Sequence, residues 1–283
     1  MDTSPVTEVI DLPQGSVSYR AAGPPEPERP AVVFLHGLLV DGQLWSPVAD
    51  LLAARGVRSY APTLPLGSHR TPMRPDADLT PRGVARLVLD FLDALDLRDV
   101  TLVGNDTGGA IAQFVVDTDP SRIGRVVLTN CDAFDRFPPP PFTHLIRALR
   151  HPALVAALAP GLRSVRLRHS RLGFGPLAGE PFDPAVTRGW VEPLSDAAIR
   201  RDVAKLARGI DPPDLLDVST RLGKFTKPVR LLWGDADRYF QVDLGRRLAA
   251  AFPDGTLETV ARGRTFLPLD HPDRVAAAIL AAS

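Results

Sequence analysis

Val100-Thr101-Leu102-Val103-Gly104-Asn105-Asp106-Thr107-Gly108-Gly109 is the stretch on which the fold turns. An apolar strand candidate runs into a glycine-bracketed turn, and residues 110–116 continue as an apolar helix candidate that stops before Pro120. Glycine at 104 and 108 keeps the turn clear of side chains, so residue 106 is pushed out at the bend, where the helix N-terminus favours negative charge. This is the form of a nucleophile elbow, with aspartate in the place usual for serine. A serine there attacks an acyl carbon, whereas a carboxylate attacks a saturated carbon and forms an alkyl ester that water must then hydrolyse. The competing reading is a glycine-rich helix start that Asp106 merely caps.

Upstream, Ala31-Val32-Val33-Phe34-Leu35 is a continuous apolar run that ends at His36-Gly37, as expected of a strand buried on both faces. Residues 6–12 and 16–21 alternate around Gly15 and predict an opening antiparallel hairpin or pair of edge strands. A helix is expected over 43–55, a strand over 57–61, and a helix from Thr80-Pro81, with Val84, Leu87, Val88, Phe91, Leu92 and Leu95 on one face. Downstream, strands are expected at 126–129, 229–233 and 257–260, and helices at 244–252 and 272–282. Residues 131–223 carry short helical patterns and no convincing strand, and read as an inserted helical cap, or lid. Strands alternating with helices predict an α/β fold with a mostly parallel sheet covered on both faces. The chain then divides into a first core part (1–130), the cap (131–223) and a second core part (224–283).

Thirty-three basic and thirty-three acidic residues among 283 leave no net charge, so no global field draws the chain to nucleic acid or to an anionic membrane. A small-molecule substrate is the expected partner, and a homodimer is the one assembly kept open. The longest apolar runs are far too short to span a bilayer, and residues 1–5 do not begin a leader pattern, so a cytoplasmic location is expected. A single cysteine, Cys131, excludes an internal disulfide and cannot by itself build a thiolate metal site. Neither a metal nor an organic cofactor is expected.

Taken with His36-Gly37-Leu38-Leu39, Gly234-Asp235-Ala236-Asp237 and the helical insertion, the elbow makes the chain resemble the α/β-hydrolase family over nearly its whole length. The aspartate resembles the haloalkane dehalogenase and epoxide hydrolase branch, where an Asp, a His and a second acid make and break an alkyl-enzyme ester. The resemblance implies Asp106 as nucleophile, Asp237 as supporting acid, and the backbone amides of Leu38 and Thr107 as oxyanion hole. Asp235 competes for the role of the acid, although the family spacing from the glycine implies Asp237, and either can be read as a loop or helix-cap residue. Asn130 occupies the place where some dehalogenases carry their acid, and it is not ionisable.

In the family a histidine stands seven residues before the proline that opens the last helix, and counting back from Pro272 gives Thr265. A hydroxyl cannot act as a base near neutral pH. His271 and, from the cap, His144 are the candidate substitute bases; His151 and His169 also lie in the cap, and each is equally read as a surface or capping residue. With no imidazole between them, Asp106 and Asp237 are expected to approach each other directly or through water and to share a proton, unless Arg264 turns inward. Trp45, Asn130, Trp190 and Phe266 are the candidate pocket and cap residues. The dehalogenase halide donors would fall at Thr107 and Leu38, with Trp190 as the possible replacement, and Tyr19, Tyr60 and Tyr239 all lie outside the cap that carries the epoxide hydrolase tyrosines. The leading expectation is a hydrolase acting through Asp106 on a small, largely apolar substrate. A cofactor-free lyase, isomerase or cyclase using Asp106 for proton transfer and a non-catalytic ligand-binding member are the alternatives.

Overall fold

A computed structural model describes residues 6–282; residues 1–5, read above for a leader pattern, lie outside them. Eight strands form one sheet: β1 (Val6–Leu12), β2 (Gly15–Ala22), β3 (Val32–Leu35), β4 (Ser59–Pro62), β5 (Val100–Asp106), β6 (Ile123–Cys131), β7 (Val229–Gly234) and β8 (Gly255–Val260). Their order is β1-β2-β4-β3-β5-β6-β7-β8. β1 and β2 pair antiparallel from Val6↔Ala21 to Leu12↔Gly15, β2 is antiparallel to β4, and every other pairing is parallel. The continuous apolar runs now have their reason. β3 and β5 sit at the centre with strands on both sides and helices over both faces, so every residue of β3 and all but the last of β5 are buried.

Helix α1 (Ser46–Ala53) is shorter than the sequence pattern predicts, because residues 42–45 close a 3₁₀ turn in which the Asp41 carboxylate accepts the Gln43 N–H at 2.9 Å. α2 (Pro81–Ala94) starts as read, with the Thr80 hydroxyl accepting the Gly83 N–H at 3.2 Å. α3 (Thr107–Thr118) begins directly at the end of β5 with Thr107 opening it, as the elbow reading expects, although Gly108 and Gly109 carry no apolar signal.

Between β6 and β7 the described residues form only helices and 3₁₀ turns, apart from a single bridge at Ala133 and Arg136: α4 (Phe142–Leu149), α5 (Pro152–Leu158), α6 (Val165–Arg168), α7 (Pro184–Val191), α8 (Ala197–Gly209) and α9 (Pro212–Ser219). The chain closes with α10 (Val242–Ala250), a short α11 (Leu267–Asp270) and α12 (Pro272–Ala282). α1 packs on α12, while α2 and α9 pack on α3. The helical segment is tied to the strand ends by backbone and side-chain bonds: the Phe266 N–H donates to the Leu177 carbonyl (2.8 Å), Gly179 N–H to Asp270 (2.7 Å) and the Trp190 indole N–H to Asp41 (3.1 Å). A chamber is thereby enclosed over the C-terminal ends of β5 and β6.

Candidate active site

Asp106 is the last residue of β5 and turns with φ 53° and ψ −129°, a conformation a side-chain-bearing residue adopts only when its surroundings hold it there. Those surroundings are glycines. A Cβ on Gly108 would strike the Leu35 carbonyl, and one on Gly37 would strike the Asp106 carboxylate itself. Two loops can therefore close on the residue. The Leu38 N–H donates to Asp106 Oδ2 at 3.3 Å, and the Thr107 N–H donates to the same carboxylate from the first turn of α3. Both amides that the resemblance assigns to an oxyanion hole thus point at Asp106.

His36 explains why the Leu38 amide holds its position. Its Nε2 accepts the Leu64 N–H (2.8 Å), which leaves Nδ1 to donate to the Gly37 carbonyl (2.9 Å), and burial lowers its pKa to about 4. It is a neutral brace for the turn that carries Leu38.

The carboxyl of Asp106 is pushed up to about 7, chiefly because burial removes water from the charged form; the two amides pull it back and the neighbouring Asp237 pushes it further. Asp237 lies in the turn after β7 and is saturated with donors. Its Oδ1 accepts the N–H groups of Tyr239 (2.7 Å) and Phe240 (3.1 Å), and its Oδ2 accepts Asn130 Nδ2 (2.9 Å) and the Thr265 hydroxyl (2.8 Å). Burial nonetheless raises its pKa. Asp237 is thus engaged with four donors and feels Asp106 electrostatically, and both carboxyls are raised as expected of neighbouring acids, with no direct hydrogen bond between them among the described residues. Arg264 does not neutralise the pair: it donates to the Ala178 carbonyl in the cap segment (2.7 Å). Asp235 faces the other way and accepts the Arg262 N–H (2.7 Å). Replacing Thr265 by valine removes one of the four donors from a buried carboxylate, so Thr265→Val is expected to lower unfolding stability by about 1–3 kcal/mol in a urea titration.

A cavity of about 140 Å³ opens in front of Asp106, walled mainly by apolar side chains of the cap such as Phe137, Phe142, Leu145 and Phe174. A larger space of about 720 Å³ lies among the helices between β6 and β7 and does not reach the elbow. None of the six histidines lines the smaller cavity. His144 is exposed on α4, and His271 supplies the carbonyl that accepts the first N–H groups of α12. His169 meets the Thr187 hydroxyl at 2.9 Å, and His69 pairs with Asp202 at 3.3 Å. Neither candidate substitute base is placed at the site.

The aromatic candidates are core. Trp45 is buried and stacks on Phe34 with ring centroids 4.7 Å apart, and Trp190 and Phe266 pack edge-on in a cluster with Phe182. The Trp190 N–H is spent on Asp41, so it offers nothing to a departing halide. Asn130 is also off the cavity wall, where it braces the Asp237 turn through the Gly234 N–H (2.7 Å). Cys131 is buried beside the site with its thiol pushed well up by burial and the neighbouring carboxyls, which removes it as a nucleophile.

Two residues escaped the sequence reading. Asn105 donates to Thr129 Oγ1 (2.9 Å) and to the Thr265 carbonyl (2.7 Å), binding the late loop to the elbow. Asp132, one residue past β6, shares the cavity wall with Asp106, and its own chain N–H lies 3.4 Å from the Asp106 carbonyl. A carboxylate at a strand end across from the elbow is the available signal, and the loss of strand character after Cys131 hides it.

The model of the Alpha/beta hydrolase family matches residues 32–278, which spans the elbow, both supporting strands and the helical insertion. The chain belongs to the α/β-hydrolase family. It is 27% identical to a haloalkane dehalogenase of Mesorhizobium japonicum over 98% of this chain and 91% of that protein. It is 32% identical to haloalkane dehalogenase 2 of Mycobacterium bovis over 69% of this chain and 68% of that one. Among solved structures, the epoxide hydrolase CorEH superposes with a TM-score of 0.78 at 19% identity, covering 98% of both chains, which is a likeness of fold. Within the α/β-hydrolase family, then, several of its homologues are named hydrolases or haloalkane dehalogenases.

Proposed function

We propose that this α/β-hydrolase acts on a small, largely apolar substrate through nucleophilic attack by Asp106. The observation that carries the reading is the orientation of the carboxylate. Its Oδ2 accepts the Leu38 amide, the Thr107 amide supports the same carboxylate, and the group faces a cavity whose walls are mostly apolar. If Oδ1 attacks, the oxygen on the Leu38 amide becomes the ester carbonyl oxygen, and the two amides then stabilise the oxyanion that forms when water adds. The dehalogenase relatives support this choice of chemistry. Thr265 falls, counted back from Pro272, where the resemblance implies the family histidine, and it donates to Asp237, which supports a site with no base at that position. A haloalkane is therefore expected to leave a persistent alkyl ester, read as a mass gain on the peptide containing Asp106.

The raised pKa of Asp106 favours a second reading, in which it moves a proton and never bonds to carbon. That reading requires turnover without a mass gain and without solvent ¹⁸O entering Asp106. An adduct on Asp106 eliminates it.

A further inference from the structure

The cavity contains a second carboxyl that the proposed attack by Asp106 leaves without a role. Asp132 is 1% exposed, and its Oδ1 has no hydrogen-bond partner although it is buried in the wall of the chamber that Asp106 also lines. A buried carboxyl oxygen left unpaired costs stability, and it persists here at the one place where a ligand atom could satisfy it. Its remaining interaction is with the Thr107 hydroxyl, next to the nucleophile.

The donors divide the charge between the two acids. Asp106 has two backbone N–H groups, which can only donate and so favour its anion. Asp132 has a hydroxyl, which serves either form, and an orphan oxygen, which disfavours a charge. Burial first, and then the neighbouring Asp106 charge, hold the Asp132 carboxyl well above its ordinary value, so the negative charge rests on Asp106 and the proton on Asp132.

Building on the Asp106 reading above, we propose that Asp132 is the second catalytic carboxyl, and that the substrate class is one whose leaving atom is an oxygen needing a proton, such as a small apolar epoxide. The steps balance. Asp106 Oδ1 bonds to a ring carbon, the carbon–oxygen bond of the ring breaks, and the released alkoxide takes the proton of Asp132. The Asp132 carboxylate then takes a proton from water as its oxygen adds to the Asp106 ester carbonyl, with the resulting oxyanion on the Leu38 and Thr107 amides. Collapse expels the diol oxygen, which takes its proton from the new Asp106 carboxyl. Asp106 is again ionised and Asp132 again protonated. A halide leaves without needing a proton, so a haloalkane never converts Asp132 into the base, and its ester stays.

The other groups around the pair do not take over this role. Cys131 is held as a thiol, and Asp237 is closed off by its four donors. Arg168, on the same wall, donates to Thr187 and to the carbonyls of Leu162, Arg163 and Pro184.

The test compares the protein with Asp132→Asn on 1,2-epoxybutane and 1-bromobutane, following diol, first-turnover bromide release, intact mass and ¹⁸O entry into Asp106. Diol formation is expected to fall by about 100-fold or more in Asp132→Asn, the ordinary size of a lost general acid. First-turnover bromide release shows whether Asp106 can still attack in the variant, and a thermal unfolding midpoint close to the parent's reports that the variant is folded. A measurement on the unmodified chain is independent of the variant. Epoxide opening should decline on the alkaline side as Asp132 loses its proton, whereas bromide release rises through about pH 7 and then levels. Equal epoxide rates in the two proteins, or epoxide opening with no alkaline decline, overturn the role of Asp132. Bromide release without epoxide opening overturns it too while leaving Asp106 as nucleophile, and no reaction with either probe removes both.

Discussion

Asp106→Asn is expected to lose the covalent step and gain stability. Without a carboxylate no ester forms, so the mass gain on the elbow peptide disappears and any turnover falls by about 10⁴-fold or more, as when a nucleophile is removed. The gain has the same origin as the activity. In the unfolded chain Asp106 titrates near its ordinary value of about 4, whereas in the folded state it holds its proton up to about 7. Between those two values the folded state binds more protons than the unfolded one, so this residue lowers stability as pH rises from about 4 to about 7, and the loss is complete above that. An amide has no such penalty and still accepts from the Leu38 and Thr107 N–H groups. Denaturant titrations should therefore show Asp106→Asn close to the parent near pH 4 and more stable by a few kcal/mol near pH 8. A variant that is no more stable at high pH would mean that the burial of this charge is offset elsewhere.

Gly37→Ala is expected to damage the reaction with the active carboxylate still present. A methyl group at position 37 occupies the space of Asp106 Oδ2, so either the carboxylate or the turn carrying Leu38 must move. Either shift breaks the 3.3 Å bond from the Leu38 amide. Loss of one such donor costs about 100- to 1,000-fold in rate. First-turnover bromide release from 1-bromobutane measures it, and a thermal midpoint distinguishes it from unfolding. The expected pattern is a rate loss far larger than the change in midpoint warrants, because His36 continues to brace the turn from the Gly37 carbonyl and the Leu64 amide.

Much of this molecule was legible in its strands and glycines. The apolar runs ending at His36 and at Gly104 identify the buried centre of the sheet, and alternation around Gly15 identifies the exposed hairpin at its edge, because local burial patterns follow directly from how many faces a strand covers. Helix starts are legible where a cap announces them, as at Thr80, and where the elbow does, as at Thr107, even though glycine there replaces the apolar signal. The aromatic candidates show the limit of composition: Trp45, Trp190 and Phe266 have the residue types of a pocket wall, and only their packing assigns them to the core.

By itself, then, the sequence determined the α/β sheet, the elbow and the lack of a histidine seven residues before Pro272, all of which are matters of order and spacing along one chain. The tertiary structure decided who stands beside Asp106. Thr265 turns to Asp237, Asn130 braces that same turn, the histidines lie elsewhere, and Asp132 shares the chamber. Hydrogen-bond partners and desolvation depend on which parallel strand ends become neighbours, and that is settled by the sheet order, in which β5 and β6 lie side by side with their ends under the cap.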